Sequence, residues 1–268
     1  MIYKPGYYLD MPMSEYHKST TGVSKSNLSK LLTHSPKNFR HWRDKSSKSS
    51  IAMEFGTAAH TLILEPEVFY KEYFMAPQDV RRNTKAWKEL VGAHGNREGI
   101  KENDWNSLHK IRESIENHKF GKRLIDGKGA VESSGVWVDE ETGITCKCRP
   151  DKLNDSMGSI VDVKTARDIR PVNFMYDSAK LKYHMSTAMT LAGMKALDLP
   201  YDHYIFLVIE KDPPHEVVIY THDIKAYRQG REEVELALKI LKECQDTDIW
   251  PGYAEEEIIE LFLPKYYK

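Results

Sequence analysis

Apolar residues recur three and four positions apart through the first half of the chain. After Gly127 they begin to alternate with polar ones. Leu28, Leu31 and Leu32 share one face behind a serine cap at Ser24 or Ser26. Pro36 then opens a second turn with Phe39 and Trp42 on one side, so residues 24–44 read as a helix pair. Residues 51–64 read as a tightly packed helix, in which Gly56, Ala58 and Ala59 admit another backbone and Pro66 ends the run. Residues 70–125 read as mostly helical, with Asn103 or Asp104 capping a segment from Trp105 to Asn117 whose Leu108, Ile111 and Ile115 fall at helical spacing. Val131 to Val138, Ile144 to Arg149 and Ser159 to Lys164 read as strands, with turns at Asp139 to Gly143 and Asn154 to Gly158. A helix from Val172 to Leu197, strands at 204–209 and 217–220, and a last helix from its cap Asp223 to Cys244 complete the order. Short connections favour antiparallel pairing. The succession predicts an α/β fold with a mixed central sheet flanked by helices. It forms a single domain over 1–268, mainly helical over 1–127 and sheet-bearing over 128–268.

Charge narrows the choice of partners. The 268 residues carry 39 Lys+Arg against 40 Asp+Glu, a net charge of -1, so any nucleic-acid surface must be local. Between Lys25 and Lys48 seven basic residues, among them Lys30, Lys37 and Arg40, meet one acid, Asp44. A solvated helix face and a phosphate-contacting surface both fit that run. Arg81, Arg82 and Lys85 form a second basic group ahead of Trp87. The stretch from Lys45 to Ser50 reads as a flexible loop. The most apolar short run, Tyr204 to Ile209, is too short to span a bilayer, so no membrane role is expected. Met1 to Asp10 lacks the pattern of a secretory signal, and three cysteines at no disulfide-type spacing point to a reducing cytoplasm.

The chemistry concentrates in Cys148-Arg149-Pro150-Asp151 and Ile160-Val161-Asp162-Val163-Lys164-Thr165. Asp162 and Lys164 lie two apart on a strand, so both leave one face while Val161 and Val163 enter a core. A hairpin brings Asp151 beside Asp162. Two converging carboxylates repel unless a cation lies between them, and oxygen ligands suit Mg²⁺, with Mn²⁺ as a substitute. Such an ion activates water and stabilises a phosphoryl transition state, while the lysine positions water or neutralises charge. That is the logic of a phosphodiester hydrolase; a surface salt bridge is the plain alternative for Asp-x-Lys alone. His60, on a mostly apolar helix, reads by itself as a core histidine with a satisfied hydrogen bond.

Pro150-Asp151 followed by Asp162-Val163-Lys164 resembles the PD-(D/E)xK nuclease core, and the chain is similar to the RecE-type (exonuclease VIII-like) exonucleases of phages and bacteria. The resemblance also rests on Phe55-Gly56-Thr57-Ala58-Ala59-His60, Cys146 to Asp151, Lys182-Tyr183-His184 and Thr247 to Pro251. It implies a restriction-endonuclease-like core. It implies that His60, Asp151, Asp162 and the Val163 carbonyl hold the metal, that Glu132 stands near it, and that Lys164 is the catalytic lysine. It further implies digestion of linear duplex DNA from its ends, 5′ to 3′, to leave 3′ tails for recombination. A ring-shaped homo-oligomer, a single-strand annealing partner and phosphate contacts from Lys25, Lys30, Lys37, Arg40, Arg81, Arg82 and Lys85 belong to the same expectation. Where the family has a glutamine after Tyr-His, this chain has Ser186, of shorter reach; Tyr183 or Thr187 would then help orient substrate. That departure keeps open a catalytically weak DNA-end-binding module, beside single-strand-specific and endonucleolytic variants of the same fold. With Cys146 and Cys148 on one strand face and Cys244 far away, no iron–sulfur cluster is expected.

Overall fold

The computed structural model describes residues 3–43, 51–95, 97–254 and 258–263. The Lys45 to Ser50 stretch, with Asp44 and Lys48, lies outside them. The chain opens with β1 (Gly6–Tyr8), α1 (Met13–Tyr16), α2 (Lys25–Thr33), α3 (Pro36–Arg43), α4 (Ile51–Leu64), α5 (Pro66–Glu72) and β2 (Tyr73–Ala76). Then come α6 (Lys85–Ala93), β3 (Glu98–Lys101), α7 (Glu102–Asn117), α8 (Lys119–Asp126), β4 (Ser134–Val138), β5 (Thr145–Cys148) and β6 (Lys152–Asn154). It closes with β7 (Ser159–Ala166), α9 (Pro171–Lys180), α10 (Tyr183–Ala196), β8 (His203–Glu210), β9 (Val217–Tyr220) and α11 (Ile224–Thr247).

A four-stranded sheet, ordered β6-β7-β8-β9, carries the core. Its outer pairs are antiparallel, while β7 and β8 run parallel through the α9–α10 crossover. Antiparallel β1-β4-β5 forms a second sheet, bridged to the first where Val131 pairs with Lys152. Period two splits the apolar residues of β7 and β8 between two clusters. Ile160, Phe206 and Val208 join α10 and α11 on one face. Val161, Val163, Leu207 and Ile209 join α4 and α7 on the other. The small Ala58 and Ala59, 2% and 1% exposed, seat α4 in that second cluster.

Residues 70–125 are mostly helical, as expected, with Tyr73–Ala76 and Glu98–Lys101 pairing within them as a short parallel ladder. Two expectations are corrected. The helix of Trp105 starts at Glu102, and neither Asn103 nor Asp104 caps it. The helix expected from Val172 to Leu197 is two helices. Lys182 takes a left-handed conformation (φ 57°) at their junction and pairs with Glu233 at 3.0 Å. Directly after it α10 and α11 close tightly: a Cβ on Gly230 would lie 2.2 Å from the His184 carbonyl oxygen.

Candidate metal centre and nucleic-acid cleft

The β6–β7 hairpin sets Lys152 opposite Val161, which places Asp151 at the level of Asp162. Asp151 is tied to the facing strand, because its Oδ2 accepts a bond from the Val163 N–H at 2.7 Å. His60, presented by α4, brings Nδ1 to 3.6 Å from the same oxygen. Glu132 precedes β4 in a left-handed conformation (φ 49°), and its N–H donates to the Asp151 carbonyl at 3.0 Å. One ligand atom each from His60, Glu132 and Asp151 lies within 4.8 Å of the others. Two carboxylates and an imidazole are a donor set suited to a divalent cation. Burial depresses the His60 pKa and leaves a neutral ring, the form that ligates metals. Burial first, and the Asp151 charge second, push Glu132 up to about 7.

Asp162 stands beside this trio with different partners. One oxygen pairs with the Lys164 ammonium, and the other accepts the Tyr204 hydroxyl at 2.6 Å. Lys164 also reaches the Val163 carbonyl at 3.3 Å and lies 5.4 Å from the centre of the Tyr183 ring. Burial lowers its pKa.

Asp151, Asp162 and Lys164 open onto a cleft of about 1140 Å³. Tyr183 and Ser186 line it too, and Lys25 and Lys30 reach it from α2. Lys25 donates to the Leu181 carbonyl at 2.6 Å and lies 5.7 Å from the Tyr183 ring centre. Burial, then Lys164 and Lys182, lower its pKa to about 8. The other basic residues expected on DNA do not line this cleft. Arg40 pairs with Asp248 at 2.9 Å and covers Trp250, while the Lys37 N–H donates to the Pro251 carbonyl; both dock the segment after α11. Arg82 pairs with Glu54 at 2.6 Å and Lys85 with Glu89 at 3.7 Å, and Arg81 is exposed.

Sequence reasoning missed Tyr204 and Arg149, both on the cleft. For Tyr204 the one available signal is strand position, opposite Ile160 in β8. Arg149 carries no signal beyond its adjacency to Pro150-Asp151. Cys146, Cys148 and Cys244 are free and buried. Among the described residues no helix is long and apolar enough to cross a membrane.

A mixed sheet, an aspartate after proline and an Asp-x-Lys motif on the facing strand fit the PD-(D/E)xK nuclease superfamily core. Residues 24–260 match the model of a PDDEXK-like domain of unknown function (DUF3799), and the chain belongs to that family. The fold is similar to that of a protein described as "Putative exonuclease" from Eubacterium rectale. The TM-score is 0.65 at 11% identity, over 95% of this chain and 96% of that one. The structure named SSO0001 aligns at a TM-score of 0.31 and 12% identity over 80% of this chain and 75% of that one, too low a score to bear on the fold. A search of curated proteins finds no match.

Proposed function

We propose that this chain is a metal-dependent exonuclease of RecE type that digests linear duplex DNA from its ends, 5′ to 3′, and leaves 3′ single-stranded tails. The observation that carries the reading is the His60–Glu132–Asp151 trio, of which Asp151 opens with Lys164 onto the cleft that Lys25 and Lys30 also line, while His60 and Glu132 lie behind that lining. His60, Glu132 and Asp151 would hold Mg²⁺, or Mn²⁺ in its place, with Asp162 and the Val163 carbonyl as further ligands. A bound divalent ion supplies a water of lowered pKa and offsets charge at the scissile phosphate. Lys164 Nζ orients that water and neutralises developing charge. Asp162 holds the ammonium in place and is itself fixed by the bond from the Tyr204 hydroxyl. Lys25 and Lys30 contact the phosphate backbone, and the Lys25 and Lys164 ammonium groups both lie near the Tyr183 ring. Ser186 lines the cleft where the family glutamine would orient substrate. The same reading implies a homo-oligomeric ring around the duplex and a single-strand annealing partner, in the cytoplasm of a bacterium or phage-infected host.

The test is digestion of 5′- and 3′-end-labelled linear duplex, with circular duplex as control, in Mg²⁺, Mn²⁺, Ca²⁺ or chelator. The expected result is Mg²⁺-dependent release of nucleotides from linear DNA alone, beginning with the 5′ label, and none from Asp151→Asn. Ends bound without release would replace this reading with an end-binding module, and cleavage of circles would make it an endonuclease.

A further inference from the structure

Arg149 follows β5, two residues before Asp151, and has no role in the reading above. Its side chain is 12% exposed. Nε donates to Glu132 Oε2 at 2.9 Å, and Nη1 donates to the Met11 carbonyl at 2.8 Å and to Ser134 Oγ at 3.0 Å. The guanidinium also lies 5.7 Å from the Tyr16 ring centre. These partners come from the N-terminal segment, the turn before β4 and β4 itself. A guanidinium is a rigid planar fork, so a carboxylate bonded to it inherits an orientation set by the other acceptors.

The backbone of Glu132 supplies a second observation. A left-handed conformation in a residue other than glycine costs about 1 kcal/mol or more. It is held here by the bond from the Glu132 N–H to the Asp151 carbonyl. Main chain and carboxylate of Glu132 are thus both anchored to the Arg149-Pro150-Asp151 turn.

We propose that Arg149 is a positioning residue for the metal centre, one that aims the Glu132 carboxylate at the ion and fixes its spacing from Asp151. The inference rests on the reading of His60, Glu132 and Asp151 as metal ligands. A carboxylate offers about four lone-pair sites, so the bond from Arg149 leaves donors for a cation. Charge compensation is the rival role for a buried arginine beside two acids, and the two roles differ in sign. Removing a positive charge next to a cation site strengthens binding by Coulomb's law. Removing the fork that aims a ligand weakens it; loss of such supporting partners costs about 10- to 100-fold in metal affinity.

Calorimetric titration of the full chain with Mn²⁺ decides between them, with wild type, Asp151→Asn, Arg149→Lys, Arg149→Gln and Ser134→Ala compared. The melting temperature of each is measured in chelator. Wild type is expected to bind and Asp151→Asn to lose the site. Both Arg149 variants are expected to bind about 10- to 100-fold more weakly, although Arg149→Lys keeps the charge. In nuclease assays the Mg²⁺ concentration for half-maximal rate rises with them, a shift that a loss of stability alone does not produce. Mn²⁺ binding by either Arg149 variant that equals or exceeds wild type overturns the inference. Should those variants fail to fold, Ser134→Ala, which removes a single acceptor, decides. Weaker Mn²⁺ binding supports the proposal, and unchanged binding overturns it. A wild type that binds no Mn²⁺ overturns the metal-centre reading itself, and this inference with it.

Discussion

The two faces of β7 take alternate residues of one eight-residue strand and do different work. One face buries Val161 and Val163, both 0% exposed, against α4 and neighbouring Leu207 and Ile209. The other carries Asp162 and Lys164, joined to Tyr204 and Tyr183 at the cleft. Polar side chains at such depth are costly unless bonded, and each oxygen of Asp162 has a partner. The contrast teaches that the dry face supplies the rigidity against which the wet face holds charges close together. The strand's alternation lets one element do both.

Substitutions should separate the faces. The largest effect is expected on the wet one: Lys164→Ala lowers the rate of nucleotide release by about 10²- to 10⁴-fold, with duplex binding retained in filter or fluorescence assays. Loss of binding along with cleavage would assign Lys164 to structure. On the dry face, Leu207→Ala costs about 2–5 kcal/mol of stability, read by denaturant unfolding, while the rate per folded molecule stays at the wild-type level. A smaller effect is expected from the lysines. Lys25→Ala weakens duplex binding at every sequence and reduces the salt slope by about one, whereas Lys85→Ala, away from the cleft, changes neither. The smallest concerns His222, which packs edge-on to Phe206 and bonds Thr187 at 2.9 Å and Ser178 at 3.0 Å. Burial, with His184 nearby, lowers its pKa to about 4. Above pH about 6.5 the ring is neutral in folded and unfolded chains alike; below it the unfolded chain alone takes the proton. Its contribution is therefore lost as pH falls from about 6.5 to about 4. The ring is partly exposed and screened, so the loss is about 1 kcal/mol. Unfolding of His222→Gln across this range should show a flatter pH dependence than wild type.

Elements with a strong period were legible in the sequence. The α2–α3 pair, α4, β7, β8, β9 and α11 with its Asp223 cap all follow the hydrophobic pattern. What escaped lacks local signals. The β2–β3 ladder joins two four-residue strands without alternation, and its pairing crosses an intervening helix. No glycine or proline marks the break at Lys182; its ion pair with Glu233, far along the chain, accompanies it. At the site, Asp151, Asp162 and Lys164 share a motif that strand periodicity brings together. His60 looks like a core residue by composition, and only tertiary packing sets it 3.6 Å from Asp151. The basic runs illustrate the same limit. Lys25 and Arg40 belong to one run, yet one reaches the cleft and the other docks the segment after α11. Helix orientation, absent from a linear count of charges, makes the difference.

The bond from the Val163 N–H to Asp151 has a kinetic corollary. Because that amide belongs to the strand bearing Lys164, a transient parting of the hairpin would carry the Asp151 carboxylate away from Lys164, while the Lys164–Asp162 pair stays on one strand. Catalytic competence would then switch off by local fraying well before the molecule melts. The exchange rate of a single amide proton, followed during gentle warming, would report that moment.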